Sequence, residues 1–188
     1  MSKAPGLAST SDALVLALLV VGLSGWQGAA AEQACQGATS SLPSARFHDN
    51  GDGTVTDVES KLMWMVCSSG QQRQGQRCVG AADLLGWTEA QRHADRTNRD
   101  GAAFFNDWRL PALRELATIT DRGCRDPLSP RTNLAVFPGT PAAPYWSATA
   151  RPGENAGERV LALSFGAEGV MLARKDERFH VRLVRTGP

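Results

Sequence analysis

The sequence predicts an α+β domain in which two short helices pack on an antiparallel β-sheet. Three observations support this prediction. Hairpin-turn dipeptides at Asn50-Gly51 and Asp52-Gly53 precede an apolar run, two segments with helical periodicity occupy the middle of the chain, and alternating apolar residues fill its last third. A hairpin, two helices and a β-meander in this order are typical of helices packed on an antiparallel sheet.

Composition and charge narrow the class of protein. The chain has 188 residues, of which 42% are hydrophobic and 21% are charged, so it is neither a disordered tail nor a fibre. Its length suits one domain with a core of its own. The net charge of +1 argues against a nucleic-acid partner, because nucleic-acid binders usually carry a strong basic excess.

The N-terminal segment has the features of a secretory signal peptide. The run Ala13–Leu23 carries no charge and is too short to span a bilayer, which takes roughly 20 apolar residues. Small residues follow at Ala29–Ala31, so we expect cleavage directly after them; the weak basic start at Lys3 leaves an uncleaved anchor as the alternative. We therefore expect a signal peptide over residues 1–31, a lead-in over residues 32–45, and export to the periplasm or the cell exterior.

The four cysteines predict a disulfide-stapled domain. An even number of cysteines in an exported chain suggests two disulfides, and no C-x-x-C pair or zinc-ligand spacing is present. Cys67 and Cys78 flank a polar, glycine-containing segment that is typical of a surface loop, and closing this loop has the lowest entropic cost. We favour Cys67–Cys78 with Cys35–Cys124 among the three possible connectivities.

The first two-thirds of the chain predict two strands and two helices. Val55 and the run 62–66 are strand-like, on either side of a turn. A T-x-x-Q capping box at Thr88 begins a helix that runs to Asn98, with Trp87, Ala90 and Ala94 on its inner face and Arg92, Asp95, Arg96 and Arg99 in solvent. The spacing of apolar residues predicts a second helix from Pro111 to Thr120.

The last third predicts a β-meander. Alternating apolar residues and turn signals indicate four strands, at Tyr145–Thr149, Val160–Phe165, Val170–Ala173 and Phe179–Arg185.

Four motifs in a fixed order resemble a known family. They are DNGDGTVTD…LMW (Asp49–Trp64), DWRLP…EL (Asp107–Leu116), YWSAT (Tyr145–Thr149) and VRLVR (Val181–Arg185). Together they resemble the Lcl C-terminal domain family, a bacterial domain long of unknown function and named for a collagen-like adhesin. The resemblance covers roughly Arg46 to Arg185, and we place the domain at residues 46–187. It implies a C-type-lectin-like α+β fold, since the family is grouped with such folds. Ala112 stands where many relatives have a helix-capping Thr, and no collagen-like repeat is present.

Within these motifs, the large side chains are expected to be structural. Burial of a large ring stabilises a small core, so we expect Trp64, Trp108 and Trp146 in the core rather than under a sugar. Arg109 is expected to be partly buried, with Glu115 as a candidate partner. Leu110 and Pro111 complete the same motif.

Two weak ligand sites follow from charged residues. Asp49, Asp52 and Asp57 are a calcium candidate because Ca²⁺ prefers oxygen ligands, but the spacing departs from the EF-hand loop and a plain hairpin turn is preferred. Arg174, Arg178 and Arg182 are a candidate surface for an acidic or sulfated glycan. The alternative, which we prefer, is a solvated edge strand whose charges deter aggregation.

These observations favour an exported, non-enzymatic binding module that recognises an acidic or sulfated glycan or a cell-surface partner. The alternative is a structural or accessory domain that packs on a protein partner and has no small ligand. The sequence carries none of the common hydrolase, metalloprotease, P-loop or dinucleotide-binding motifs, and its three histidines are far apart. We therefore expect no catalytic residues and no cofactor, calcium aside.

Overall fold

The structure, a computed structural model, describes residues 40–123, 128–151 and 157–187. All of them belong to the compact unit Ala31–Pro188. The predicted signal peptide, most of the lead-in segment, and the predicted Cys35–Cys124 disulfide lie outside the described residues.

Antiparallel strands and two short helices build the fold, as predicted. The helices are α1 (Trp87–Arg99) and α2 (Leu113–Thr118). The strands are β1 (Phe47–Asp49), β2 (Thr54–Asp57), β3 (Leu62–Met65), β4 (Gln72–Gln74), β5 (Arg77–Val79), β6 (Pro144–Ala150), β7 (Arg159–Ser164), β8 (Val170–Arg174) and β9 (Val184–Thr186).

The strands pair in three sheets, all antiparallel. The first has the order β1-β2-β3-β9, the second is the β4-β5 hairpin, and the third is the meander β6-β7-β8. The C-terminal strand therefore returns to the first sheet and pairs with β3 there.

The predicted turn between the first two strands is confirmed. Gly51 and Gly53 hold φ angles of 80° and 93°, which glycine adopts without steric cost. Asp49 Oδ1 accepts a hydrogen bond from the Gly51 N–H at 3.0 Å, and Asp52 Oδ1 accepts one from the Thr54 N–H at 3.0 Å. These side chains close the turn in the way that Asp usually does in short loops.

The segment between Cys67 and Cys78 forms the β4-β5 hairpin and not the loop that we predicted. Its strands pair Arg73 with Cys78, and Gly75 supplies the positive φ of the connecting turn. Four of the six strand residues are Gln or Arg, so the alternation of apolar residues that marks a half-buried strand is absent from the sequence. The predicted disulfide is confirmed, with a Cα–Cα distance of 5.5 Å.

Both helices form, but a glutamate caps each of them. Helix α1 begins at Trp87 with Gly86 as its N-cap, so the predicted capping box at Thr88 is wrong. Glu89 Oε2 accepts a hydrogen bond from the Gly86 N–H at 2.9 Å. In α2, Glu115 Oε2 accepts from the Ala112 N–H at 2.7 Å, so this helix begins without the threonine that many relatives carry. As predicted, Ala90 and Ala94 are buried.

The first three strands predicted for the last third are confirmed as β6, β7 and β8, whereas the fourth, Phe179–Arg185, forms only at its end, where Val184 and Arg185 lie in β9. Residues 180–183 form a buried connecting segment between the two larger sheets, and regular pairing starts only at β9. Within the segment, His180 O accepts from the Trp146 N–H at 3.0 Å and Leu183 O accepts from the Met65 N–H at 3.1 Å. The segment bonds to the third sheet at one end and to the first sheet at the other, so it belongs to neither of them.

Two clusters of buried side chains form the core. One surrounds Trp64 and Tyr145 between the first sheet and α2, and the other surrounds Trp108 and Trp146 beneath α1. All three predicted core tryptophans are at most 2% exposed. Within the described ranges, no helix is long and apolar enough to cross a membrane.

Candidate functional site

A cleft of about 350 Å³ lies between helix α1 and the β4-β5 hairpin, and we call it the α1–hairpin cleft. Its volume is at the lower end of the range for small-molecule sites. Its lining comes from the β1-β2 turn, the end of β3, the segment that leads into β4, the helix and the connecting segment. The lining residues are Asp52, Gly53, Met65, Cys67, Ser68, Ser69, Gly70, Gln71, Gln72, Arg73, His93, Thr97 and Leu183.

The floor of the cleft is apolar and one of its walls is covalently fixed. Met65, Leu183 and the Cys67 half of the disulfide contribute the apolar surface. The disulfide joins the end of β3 to β5, so the hairpin wall is tied to the first sheet. Gln71 adds a second attachment, because its side-chain amide donates to Gly139 O at 3.1 Å.

Some polar residues of the lining serve the fold. The Ser68 hydroxyl lies 2.6 Å from the Tyr145 hydroxyl, and the Gln71 carbonyl oxygen accepts from the Ser68 N–H at 3.2 Å. The Thr97 hydroxyl donates to His93 O at 2.9 Å, within the helix. These groups hold the walls together and are satisfied without a ligand.

Three other polar side chains of the cleft have no hydrogen-bond partner among the residues that the structure describes. They are the Ser69 hydroxyl, the Gln72 amide and the His93 ring. Burial lowers the pKa of His93, and the nearby Arg96 lowers it further. The imidazole is therefore neutral at pH 7, with one nitrogen that donates a hydrogen bond and one that accepts.

An ion pair occupies one end of the cleft. Arg73 donates to both carboxylate oxygens of Asp49, with Nη1 2.9 Å from Oδ1, and its Nε donates to Gly75 O at 3.0 Å. The hydrogen bonds from Arg73 and from the Gly51 N–H lower the pKa of Asp49 to about 2. The Asp52 carboxylate lies close enough to act on the same guanidinium, so Arg73 meets two negative charges.

The three arginines proposed as a glycan surface do not share a surface. Arg174 is paired with Asp176 at 2.9 Å and Arg178 with Glu89 at 3.4 Å, in exposed salt bridges. Arg182 is 1% exposed, so its place in a surface site is wrong. The spacing argument fails because both sides of residues 180–184 are buried, whereas it assumed a strand with one solvated face.

The Arg182 side chain lies in the core and forms hydrogen bonds there. It donates to Met65 O at 2.9 Å and to the Thr140 hydroxyl at 2.7 Å, and also to Val66 O. Its guanidinium lies 4.7 Å from the centre of the Phe137 ring. Burial lowers the pKa of this guanidinium, and its partners are carbonyls, hydroxyls and a ring rather than a carboxylate.

The predicted calcium residues do not converge on one site. Asp49 is paired with Arg73, and Asp52 accepts from the Thr54 hydroxyl at 2.5 Å. The Asp57 carboxylate is buried and paired with Arg46. Burial alone would raise the pKa of Asp57, but the hydrogen bonds from Arg46 and Ser60 lower it. Across the described ranges, no group of three or more His, Cys, Asp or Glu side chains could hold a metal ion.

The structural role expected of Arg109 is present. Its guanidinium donates to both Glu115 oxygens, at 2.7 and 2.8 Å. Burial would raise the pKa of Glu115, but the bonds from Arg109 and from the Ala112 N–H lower it. Leu110 and Pro111 are buried beside this pair.

Sequence reasoning missed the polar residues of the cleft, although one signal pointed to them. His93 and Thr97 continue the stripe of Ala90 and Ala94 on the inner side of α1, at the spacing of three and four that defines one helix face. Polar residues that interrupt a buried stripe indicate a cavity or a site. No comparable signal marks Ser69 or Gln72, because the residues of the β4-β5 hairpin have no apolar periodicity from which their positions could be predicted.

Comparison with known families identifies the family of this chain. A search of curated proteins finds no match. The family model described as the Lcl C-terminal domain matches residues 53–185, which include both helices and every lining residue of the cleft except Asp52. The chain belongs to the Lcl C-terminal domain family.

Proposed function

We propose that this protein is an exported, non-enzymatic binding module of C-type-lectin-like fold, with the α1–hairpin cleft as its ligand site. One observation carries the proposal. The Ser69, Gln72 and His93 side chains face a cleft of about 350 Å³ without partners among the described residues, above an apolar floor. A cavity with an apolar lining and a few convergent polar groups is the usual form of a small-molecule site.

Two features support export. The Cys67–Cys78 disulfide suits an oxidising compartment, since cytosolic thiols are kept reduced. The uncharged run Ala13–Leu23 and the small residues at Ala29–Ala31 have the order of a signal peptide.

The surroundings of His93 support binding without catalysis. A histidine that activates a nucleophile needs that hydroxyl or thiol within hydrogen-bond reach. The His93 ring bonds to no hydroxyl of the described residues, and Cys67 in the same cleft is held in the disulfide. The groups present can position a ligand by hydrogen bonds and apolar contact.

A binding experiment with matched variants tests the proposal. The full chain, purified after export, is applied to a glycan array. We expect Gln72→Ala combined with His93→Ala to weaken binding at least about tenfold, since two hydrogen bonds to the ligand are lost. Gln74→Ala combined with Gln91→Ala is the control, because both glutamines are exposed on the same hairpin and helix but outside the cleft.

Equal binding by the two variants would show that the cleft is not the site. A blank array for the wild type would reject glycan binding itself.

One loop favours a second candidate function, a structural domain that docks on a protein partner. Phe104 is 95% exposed with a φ of 64°, next to Ala103 with a φ of 53°. Such angles are costly for residues other than glycine. Trp108 Nε1 fixes the loop by donating to Ala102 O at 3.0 Å. This function requires a blank glycan array together with a co-purifying protein that Phe104→Ser releases and the cleft variant retains.

A further inference from the structure

We infer that the α1–hairpin cleft takes a neutral, hydroxyl-rich saccharide and not the acidic or sulfated glycan that the arginine-rich C-terminal stretch suggested. The inference rests on the proposed function and names the ligand class of the same site. It follows from the charge balance of the cleft, from its free hydrogen-bonding groups and from its shape.

The charge balance disfavours an anionic ligand. Arg73 is the cationic lining residue, and it already donates to Asp49 through both Nη atoms and to Gly75 O through Nε. Asp52 adds a second carboxylate to the same end of the cleft. A sulfate or uronate would meet two negative charges against one positive charge, and it would have to displace a bidentate ion pair.

The free polar groups match hydroxyls. The Gln72 amide offers donors and an acceptor, the Ser69 hydroxyl offers both, and the neutral His93 ring offers one of each. The Asp52 oxygen that does not bond to Thr54 is a further acceptor. Sugar hydroxyls both donate and accept, so a polyol can satisfy all of these groups at once. A ligand that only accepts would leave the acceptors of the cleft unpaired.

The shape suits more than one sugar ring. Met65 and Cys67 in the floor of the cleft are partly exposed and can contact the C–H face of a pyranose. A second groove of about 450 Å³ shares Asp52, Gly53 and Arg73 with the cleft and is otherwise lined by Gly51 and Gly75. These three glycines have open space where a side chain would project, so an oligosaccharide can continue from the cleft along the turn.

Arg174 and Arg178 do not change the charge balance of the cleft. Arg174 and Arg178 pair with Asp176 and Glu89, away from the cleft. An acidic polymer would have to compete with these carboxylates, and such surface contacts are weak and screened by salt.

The test compares neutral and charged probes on the full exported chain. The neutral probes are cellohexaose, maltohexaose, chitohexaose and yeast mannan, and the charged probes are heparin, polygalacturonate and chitosan. We expect a neutral probe to bind with an affinity that changes less than about twofold between about 50 and about 500 mM NaCl. We expect Gln72→Ala with His93→Ala to weaken that binding at least about tenfold, and the Gln74→Ala/Gln91→Ala control to keep it.

The outcomes separate the inference from the proposed function. Preferential binding of a charged probe that the cleft variant loses would overturn the neutral ligand class and leave the cleft as the site. Binding of any probe that survives the cleft variant would overturn both. No binding to any probe would overturn the neutral-saccharide inference.

Discussion

Arg182 shows how a single buried cation can organise this fold. Its guanidinium donates to Met65 O and Val66 O at the end of β3, and to the hydroxyls of Ser68 and Thr140. A buried charge is costly unless its hydrogen-bonding capacity is used. Arginine suits this role because its planar fork reaches acceptors on several sides at once. The residue therefore links the connecting segment to β3 and to the Thr140 loop.

We predict that Arg182→Ala lowers the free energy of unfolding by about 3 kcal/mol or more. The variant loses several hydrogen bonds from a charged donor and leaves a cavity next to Phe137. Arg178→Ala is the matched control, since Arg178 is exposed and a surface change should cost less than about 0.5 kcal/mol. Urea unfolding measures both, and equal midpoints would contradict the structural role of Arg182.

At the scale of residues, the burial of large apolar side chains could be predicted from the sequence, but the burial of a charged side chain could not. The core positions of Trp64, Trp108 and Trp146 follow from the large free energy of burying an aromatic ring. The buried position of Arg182 could not be predicted in the same way, because its acceptors are backbone carbonyls and hydroxyls from distant segments. Arg109 and Glu115 were paired correctly because they flank the start of one helix.

The β4-β5 hairpin is the element on which the cleft most depends. It supplies Gln72 and Arg73, and three features hold it in place: the Cys67–Cys78 disulfide, the bonds of Gln71 and the Arg73–Asp49 ion pair. Its strands are only three residues long, and none of their residues is fully buried. A two-stranded hairpin of this kind is marginal by itself, so its position relies on these attachments.

We predict that Cys67→Ser combined with Cys78→Ser lowers the free energy of unfolding by about 2–4 kcal/mol without abolishing the fold. The sequence separation of 11 gives about 3 kcal/mol in the chain-entropy model, and the two larger sheets keep their core. Urea unfolding under oxidising conditions measures the change. In dithiothreitol, which would also reduce the predicted Cys35–Cys124 bridge, wild type and variant are the control pair and should share one midpoint. An unchanged midpoint under oxidising conditions would contradict the prediction.

At the scale of elements, the spacing of apolar residues predicted which segments are helices or strands better than capping residues predicted where the helices begin. The inner face of α1 and the strands β6 to β8 follow from spacing alone. The start of α1 was misplaced because Thr88 was taken as the N-cap, whereas Glu89 accepts from the Gly86 N–H. The start of α2 was placed at Pro111, whereas Glu115 caps the Ala112 N–H and the helix begins at Leu113. The β4-β5 hairpin has no apolar period, so no local pattern could reveal it.

At the scale of the whole molecule, the order of the larger elements was predictable, but their division into sheets was not. The alternation of apolar and polar residues along a strand indicates that one face is buried, but it does not indicate which strand is its neighbour in the sheet. The meander was expected to end in a fourth neighbouring strand, whereas the chain leaves it, crosses between the two larger sheets and pairs as β9 with β3. The last strand thereby joins the sheet that the first three strands form, as the pairing of Trp64 with Val184 shows.

This pairing concentrates long-range contacts in the last few residues. Val184 is fully buried. It also exchanges two backbone hydrogen bonds with Arg109, at 2.9 and 3.0 Å. Strand β9 thus joins β3 on one side and the segment before α2 on the other. The core around Trp64 is complete only when this strand is in place.

We predict that removing residues 184–188 abolishes the cooperative unfolding transition. The deletion uncovers the Trp64 cluster and leaves the backbone groups of β3 and Arg109 without partners, a loss comparable to the roughly 5–15 kcal/mol that stabilises a typical domain. Removing residues 187–188 is the control. It costs chiefly the bond from the Gly187 N–H to Lys61 O at 2.8 Å, or about 1 kcal/mol. Urea unfolding followed by tryptophan fluorescence compares the two. A sharp transition in the longer deletion would mean that β9 only covers a core that the rest of the chain already closes.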